Sequence, residues 1–181
     1  MNYGQHEGER KWRYTPGMGA EVELVWLYEM AHKMETIVEI GSYQGQSTHA
    51  LLTGTKGMVY SVDPFMPYAE IPKYTQDVFH AFVHNVGSFE NLRYLRLTSA
   101  QASRIFDDKS IDMVFIDGAH DYDNVKLDIE CWLPKTKKII CGHDYYECDS
   151  KAVIYGIVKA TKEKFGDKVK KGAGSLWYVE L

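Results

Sequence analysis

Apolar positions along the chain fall into two rhythms. Between residues 21 and 34, Leu24, Leu27, Tyr28, Ala31 and Met34 recur at helical spacing, which predicts a helix lying on a sheet with one wide apolar face. Thr36 to Ile40 is then a short run rich in β-branched residues, the pattern of a buried strand, and it stops at Gly41. Ser47 to Leu52 reads as the start of a helix, and Met58 to Val62 as a second strand ending at Asp63. Val78, Phe79, Phe82, Val83 and Val86 share a helical face, and Leu92 to Leu97 reads as a third strand running into Ser99-Ala100-Gln101-Ala102. Asp112 to Ile116 predicts the fourth strand, with Asp117 at its end. A helix bearing Tyr122, Val125, Ile129, Trp132 and Leu133 follows, and Lys138 to Cys141 gives a fifth strand that runs into Gly142-His143-Asp144-Tyr145.

This alternation of strand and helix predicts an α/β fold, a parallel sheet with right-handed crossovers and helices on both faces. The end of the chain breaks the rule. Ala152 to Phe165 reads as a helix through Val153, Gly156, Ile157 and Ala160, but only Lys170 to Ser175 separates Val169 from the strand Leu176 to Leu181. So short a link cannot carry a crossover helix, and the last two strands are expected to pair antiparallel. At 181 residues the chain suits one domain, placed at 21–181. Residues 1–20 carry Trp12, Tyr14, Pro16 and Gly17 among charges and read as an arm, a lid over a pocket, or disorder.

Composition narrows the function classes. The net charge of −4, with acids and bases interspersed, argues against a polyanion-binding protein, and the lysines between Lys151 and Lys171 are diluted by Glu163 and Asp167 into a solvated face. Nucleic acid is therefore not the expected partner. The sequence has no apolar stretch near the roughly 20 residues that span a bilayer, and its polar start is unlike a signal peptide, so a cytoplasmic protein is expected. Cys131, Cys141 and Cys148 are odd in number, lack zinc-site spacing and suit free thiols in a reducing compartment.

Chemistry-bearing residues gather at predicted strand ends five times in succession: Glu39 to Gly45, Asp63, Ser99 to Gln101, Asp117 to His120, and His143-Asp144. In doubly wound sheets that edge is where ligands bind. Gly41 and Gly45 allow close backbone approach to a ligand, and Asp63 is placed to accept hydrogen bonds from both hydroxyls of a ribose. The turn reads G-x-x-x-G, whereas a dinucleotide fingerprint needs G-x-G-x-x-G, and Glu39 just upstream would repel a pyrophosphate. A nucleoside without phosphates fits better.

Val38-Glu39-Ile40-Gly41 with Gly45, Ser61-Val62-Asp63, Asp117-Gly118-Ala119-His120-Asp121-Tyr122 and Gly142-His143-Asp144-Tyr145 resemble the class I S-adenosylmethionine-dependent methyltransferases, in particular the branch that O-methylates small molecules. The resemblance covers about residues 36–181 and implies a Rossmann-like seven-stranded sheet ordered 3-2-1-4-5-7-6. It implies that the turn Gly41, Ser42, Tyr43 and Gly45, with Ser47, takes the methionine part of S-adenosyl-L-methionine, that Glu39 supports this loop, and that Asp63 binds the ribose. Ser99, Ala100 and Gln101 would border the adenine, and Asp117 would complete the cofactor site.

Asp117 and Asp144 end neighbouring strands in that order, spaced to share a divalent cation, with magnesium or manganese suited to their hard oxygens. His143 stands where related enzymes carry the first of two adjacent acids, and is the third expected ligand; its imidazole tilts the choice toward manganese, iron or zinc. His120, three residues beyond Asp117, is the candidate general base for the acceptor hydroxyl, since an ordinary imidazole titrates near pKa 6.5. The expected acceptor is a small hydroxyl-bearing molecule, walled by Phe65, Tyr68, Tyr74, Trp12 and Tyr14, aromatics that would serve equally in a homodimer contact. The rival readings are a non-catalytic cofactor-binding partner subunit, a nucleic-acid methyltransferase and a nucleotide-dependent oxidoreductase.

Overall fold

The computed structural model describes residues 20–66, 76–146 and 155–181. Seven strands form one sheet: β1 (Thr36–Ile40), β2 (Met58–Val62), β3 (Leu92–Leu95), β4 (Ile111–Ile116), β5 (Thr136–Gly142), β6 (Lys170–Lys171) and β7 (Trp177–Glu180). Their order is 3-2-1-4-5-7-6, with β1 to β5 parallel and β7 antiparallel to both β5 and β6, as the short final link predicts. The helices between them are α1 (Glu21–Ala31), α2 (Gln46–Gly54), α3 (Gln76–Val86), the single turn α4 (Ser99–Ala102), α5 (Tyr122–Trp132) and α6 (Tyr155–Phe165). The third strand is two residues shorter than its apolar run suggests, and the fifth starts two residues earlier.

Both sheet faces are covered, which explains why the central strands read as continuous apolar runs. Ile37, Val59, Met113, Phe115 and Cys141 point to a core shared with α1, α2 and α3. Their neighbours Val38, Ile40, Val62, Val114, Ile116 and Ile140 point to a second core with α5 and α6, where Trp132 and Trp177 are fully enclosed. Burying a large apolar side chain contributes roughly 1.5–3 kcal/mol, so these two layers fix the sheet order.

The register places the site. Ile40 pairs with Val62 on one side and Ile116 on the other, and Ile116 pairs with Gly142. The residues that follow these four, Gly41, Asp63, Asp117 and His143, therefore emerge along one rim of the sheet.

Candidate active site

At the β1 end, Gly41 has φ +82°, and a Cβ there would lie 2.1 Å from the carbonyl oxygen of Asp117. Only glycine lets the first loop pass so close to the fourth. Gly45 (φ +90°) turns the chain into α2, and Tyr43 between them also sits in the left-handed region at φ +46°. Asp63 fixes this loop from β2: its Oδ2 accepts from the backbone N–H of Ser42 (3.0 Å) and Tyr43 (3.2 Å), and its Oδ1 from that of Phe65 (2.7 Å). The Asp63 carboxylate is thus oriented by backbone donors from the loops after both β1 and β2.

Glu39 lies behind the loop, fully buried, and takes the Thr48 hydroxyl at 2.5 Å on Oε2. Among the described residues, its Oε1 has no hydrogen-bond partner. Burial pushes its pKa up to about 7, against the pull of nearby Ser47, Thr48 and Ser42, with the charge of Asp117 adding to the rise.

At the β4 and β5 ends, His143 is enclosed by three acids. Its Nε2 is 3.0 Å from Glu23 Oε2, and its Nδ1 is 3.4 Å from Asp117 Oδ1 and 3.2 Å from Asp144 Oδ1. Burial opposes its protonation, but hydrogen bonds to Asp117, Asp144 and Glu23 outweigh it and raise its pKa to about 12. Both ring nitrogens of His143 thus face carboxylates, which favours its protonated form. Glu23 in turn accepts from the N–H and hydroxyl of Ser175, both at 2.8 Å, and from the N–H of Ala20 at 3.0 Å. Desolvation resists its ionisation, but His143 and Ser175 hold its pKa down at about 2.

One imidazolium cannot compensate three carboxylates. Asp117, whose side chain opens only to the cavity (27% exposed), bears the shortfall: desolvation raises its pKa, His143 pulls it down, and Asp144 adds to the rise. Asp144, at φ +57°, is held well below the usual carboxylate range by His120 and His143 despite its desolvation. His120 Nε2 lies 3.1 Å from Asp144 Oδ2. Ligand atoms of Asp117, His120 and Asp144 all lie within 4.8 Å of one another, which fits a single divalent cation held by two hard oxygens and one imidazole. The structure thus puts His120, rather than His143, in the cluster.

These groups border a cavity of about 760 Å³. Of the residues expected from the sequence, Gly41, Ser42, Tyr43, Ser47, Asp63, Ser99, Asp117, His120, His143 and Asp144 line it. Glu39 and Gly45 stay behind the loop, and Ala100 and Gln101 are off the wall. Gln101 instead closes a capping box on Thr98, accepting from its N–H (3.1 Å) and hydroxyl (3.0 Å). Phe65 is not a wall residue either; it is buried against Phe79 and Phe82, with ring centroids 5.0 and 5.2 Å away. Trp12, Tyr14, Tyr68, Tyr74 and Cys148 lie outside the described residues.

Two cavity acids were not singled out from the sequence. Glu23 sits on the same helical stripe as Leu27 and Ala31, and Asp128 on that of Val125, Ile129 and Trp132. An acid on an otherwise apolar stripe was the available signal. The cavity wall mixes apolar residues, among them Leu24, Leu27, Ile40, Val62 and Leu176, with the polar groups above, the make-up of a small-molecule site. Around His143 three carboxylates converge, making this an acid-rich end of the cavity.

A family model described as a methyltransferase domain matches residues 38–145. An uncharacterised protein of Sinorhizobium fredii, y4gI, is 30% identical over 128 residues, or 66% of this chain; the match spans only 14% of that protein's length. Among solved structures, a protein from Corynebacterium glutamicum aligns with TM-score 0.67 at 13% identity, over 96% of this chain and 86% of the other. A Podospora anserina methyltransferase bound to S-adenosylhomocysteine (SAH) gives 0.66 at 13%, over 95% and 85%. An O-methyltransferase from Bacillus cereus in complex with SAH gives 0.61 at 18%, over 93% and 86%. Their low identity makes them evidence of shared fold. Among the described residues, no helix is long and apolar enough to cross a membrane.

Proposed function

We propose that this chain, which belongs to the methyltransferase-domain family, methylates a hydroxyl group of a small molecule using S-adenosylmethionine. The observation that carries this reading is the pairing of His120 with Asp144 beside Asp117 at the mouth of a nucleoside-sized cavity. The cofactor would supply an electrophilic methyl group on a sulfonium. Asp63 would hold the ribose, and the Gly41 loop the methionine end. Asp117, short of compensating charge, would face the cofactor's cationic end.

His120 would take the acceptor's proton. Asp144 orients the imidazole and stabilises the imidazolium that forms, as a carboxylate does for any histidine base. A divalent cation, where bound, would sit among Asp117, His120 and Asp144 and lower the pKa of a hydroxyl placed there. Without the cation His120 and Asp144 would activate the nucleophile as base and orienting acid; with it the three residues would do so as its ligands. The interspersed acids and bases of the sequence, with a net charge of −4, support a small acceptor over a nucleic acid. The test is transfer of a labelled methyl group from S-adenosylmethionine to a panel of catechols, phenols and sugars, with and without a chelator. Methylation of at least one hydroxylated compound is expected, and it should be lost in Asp144→Ala. Labelling confined to RNA or DNA would overturn the reading.

A further inference from the structure

Four side chains form an unbroken line from the N-terminal helix to the candidate base. Glu23 Oε2, in the first turn of α1, is 3.0 Å from His143 Nε2; the other ring nitrogen, Nδ1, is 3.2 Å from Asp144 Oδ1; and Asp144 Oδ2 is 3.1 Å from His120 Nε2. His143 and Asp144 are each gripped by opposite atoms, so neither can turn without breaking a link. Asp144 needs that grip, since a non-glycine residue at φ +57° stays there only when its neighbours hold it.

Glu23 is the fixed end of the line. Its Oε1 accepts from the N–H and hydroxyl of Ser175, both at 2.8 Å, and its Oε2 accepts from the N–H of Ala20 at 3.0 Å besides His143. The link between β6 and β7 is shaped around it: a Cβ on Gly174, at φ +58°, would lie 2.4 Å from Oε1. Both oxygens are thus engaged within the protein, which makes Glu23 a support for its neighbours although it lines the cavity. The same link reaches the far side of Asp144, because the Ser175 carbonyl accepts from the N–H of Tyr145 at 2.8 Å.

We infer that Glu23 is a positioning residue for methyl transfer: acting through His143, it sets the orientation of Asp144 and hence of the His120 imidazole toward the acceptor hydroxyl. This rests on the methyl-transfer reading above. A base displaced by about 1 Å slows the chemical step, while the cofactor, which that reading assigns to Asp63 and the Gly41 loop, is bound as before.

The test is steady-state methyl transfer by the full chain to whichever member of the panel of catechols, phenols and sugars the parent methylates fastest. SAH affinity and melting temperature are measured beside it, and kinetics are taken where every variant is folded. Glu23→Gln turns an amide nitrogen toward donors at one end and should lower kcat about ten- to a hundredfold, with SAH affinity within about threefold of the parent's. Ser175→Ala removes one bond from the Glu23 anchor and leaves the His143 contact, so it should lower the melting temperature and keep the parent's kcat. His143→Gln should lower kcat as Glu23→Gln does, and the double variant should fall no further, since both break one line. Glu23→Asp, still charged but one methylene short of His143, takes the place of the amide variant if that one does not fold. Parent-level kcat in the Glu23 variant, additive losses in the double variant, or an equal loss in Ser175→Ala would each overturn the inference and leave Glu23 as an anchor of α1. Transfer to no member of the panel would overturn the methyl-transfer reading, and the role of Glu23 with it.

Discussion

His143 Nε2 stands 3.0 Å from Glu23 Oε2, joining the first turn of α1 to the end of β5 across 120 residues of sequence. The contact secures the N-terminal helix to the rim where Asp117 and Asp144 lie. Removing one partner of a buried ion pair strands the other, at about 3 kcal/mol.

Glu23→Gln should lower stability by about that amount near neutral pH. The folded pKa of Glu23 is depressed from 4.5 to about 2, so its contribution is present above pH 4.5 and lost as pH falls through 2. That of His143 is raised from 6.5 to about 12, so its contribution is complete below pH 6.5 and lost as pH rises toward 12. The gap in melting temperature between parent and variant should be widest between these limits and close below about pH 2. A gap independent of pH would mean that Glu23 acts through packing alone.

Much of this rim was legible because it depends on short-range pattern. Each of Gly41, Asp63, Asp117 and His143 directly follows a strand of strong apolar character, and parallel register brings such positions together. The Glu23–His143 contact was not legible, since nothing local to α1 specifies a partner at β5. His143 and Asp144 are neighbours in the chain, but His143 Nε2 faces Glu23, while Asp144, in the left-handed region, also reaches His120. Gln101, read from the sequence as bordering the adenine, closes a capping box on Thr98, and a cap and a binding loop share polar residues at the same spacing.

Glu39 should make the fold less stable as pH rises. Its folded pKa, about 7, lies above its ordinary value of 4.5, so the folded state holds a proton that the unfolded state has released between these limits. Stability is complete below pH 4.5 and declines as pH rises through 7, by up to about 3 kcal/mol. Glu39→Gln should abolish this decline and melt higher than the parent at pH 8. Denaturant titrations of both proteins between pH 5 and 8 check it, and parallel curves would count against a strained Glu39.

His120→Ala should lower the maximal rate of methyl transfer by about 10²–10⁴-fold with little change in SAH affinity, the pattern for loss of a positioned base. If the metal cluster operates, the same variant should also weaken manganese binding, measurable by titration of the metal alone. A variant with the parent's rate and metal affinity would leave His120 as no more than a partner of Asp144.

The central claim is that the rim of the sheet binds S-adenosylmethionine through Asp63 and the Gly41 loop. Calorimetric titration of SAH into the parent and Asp63→Ala tests it most directly. The account predicts saturable binding of one molecule per chain, weakened in the variant by about 1.5–3 kcal/mol as the ribose loses a charged acceptor and the N–H groups of Ser42, Tyr43 and Phe65 lose theirs. Undiminished affinity in Asp63→Ala, or tight binding of NAD with none of SAH by the parent, would contradict it.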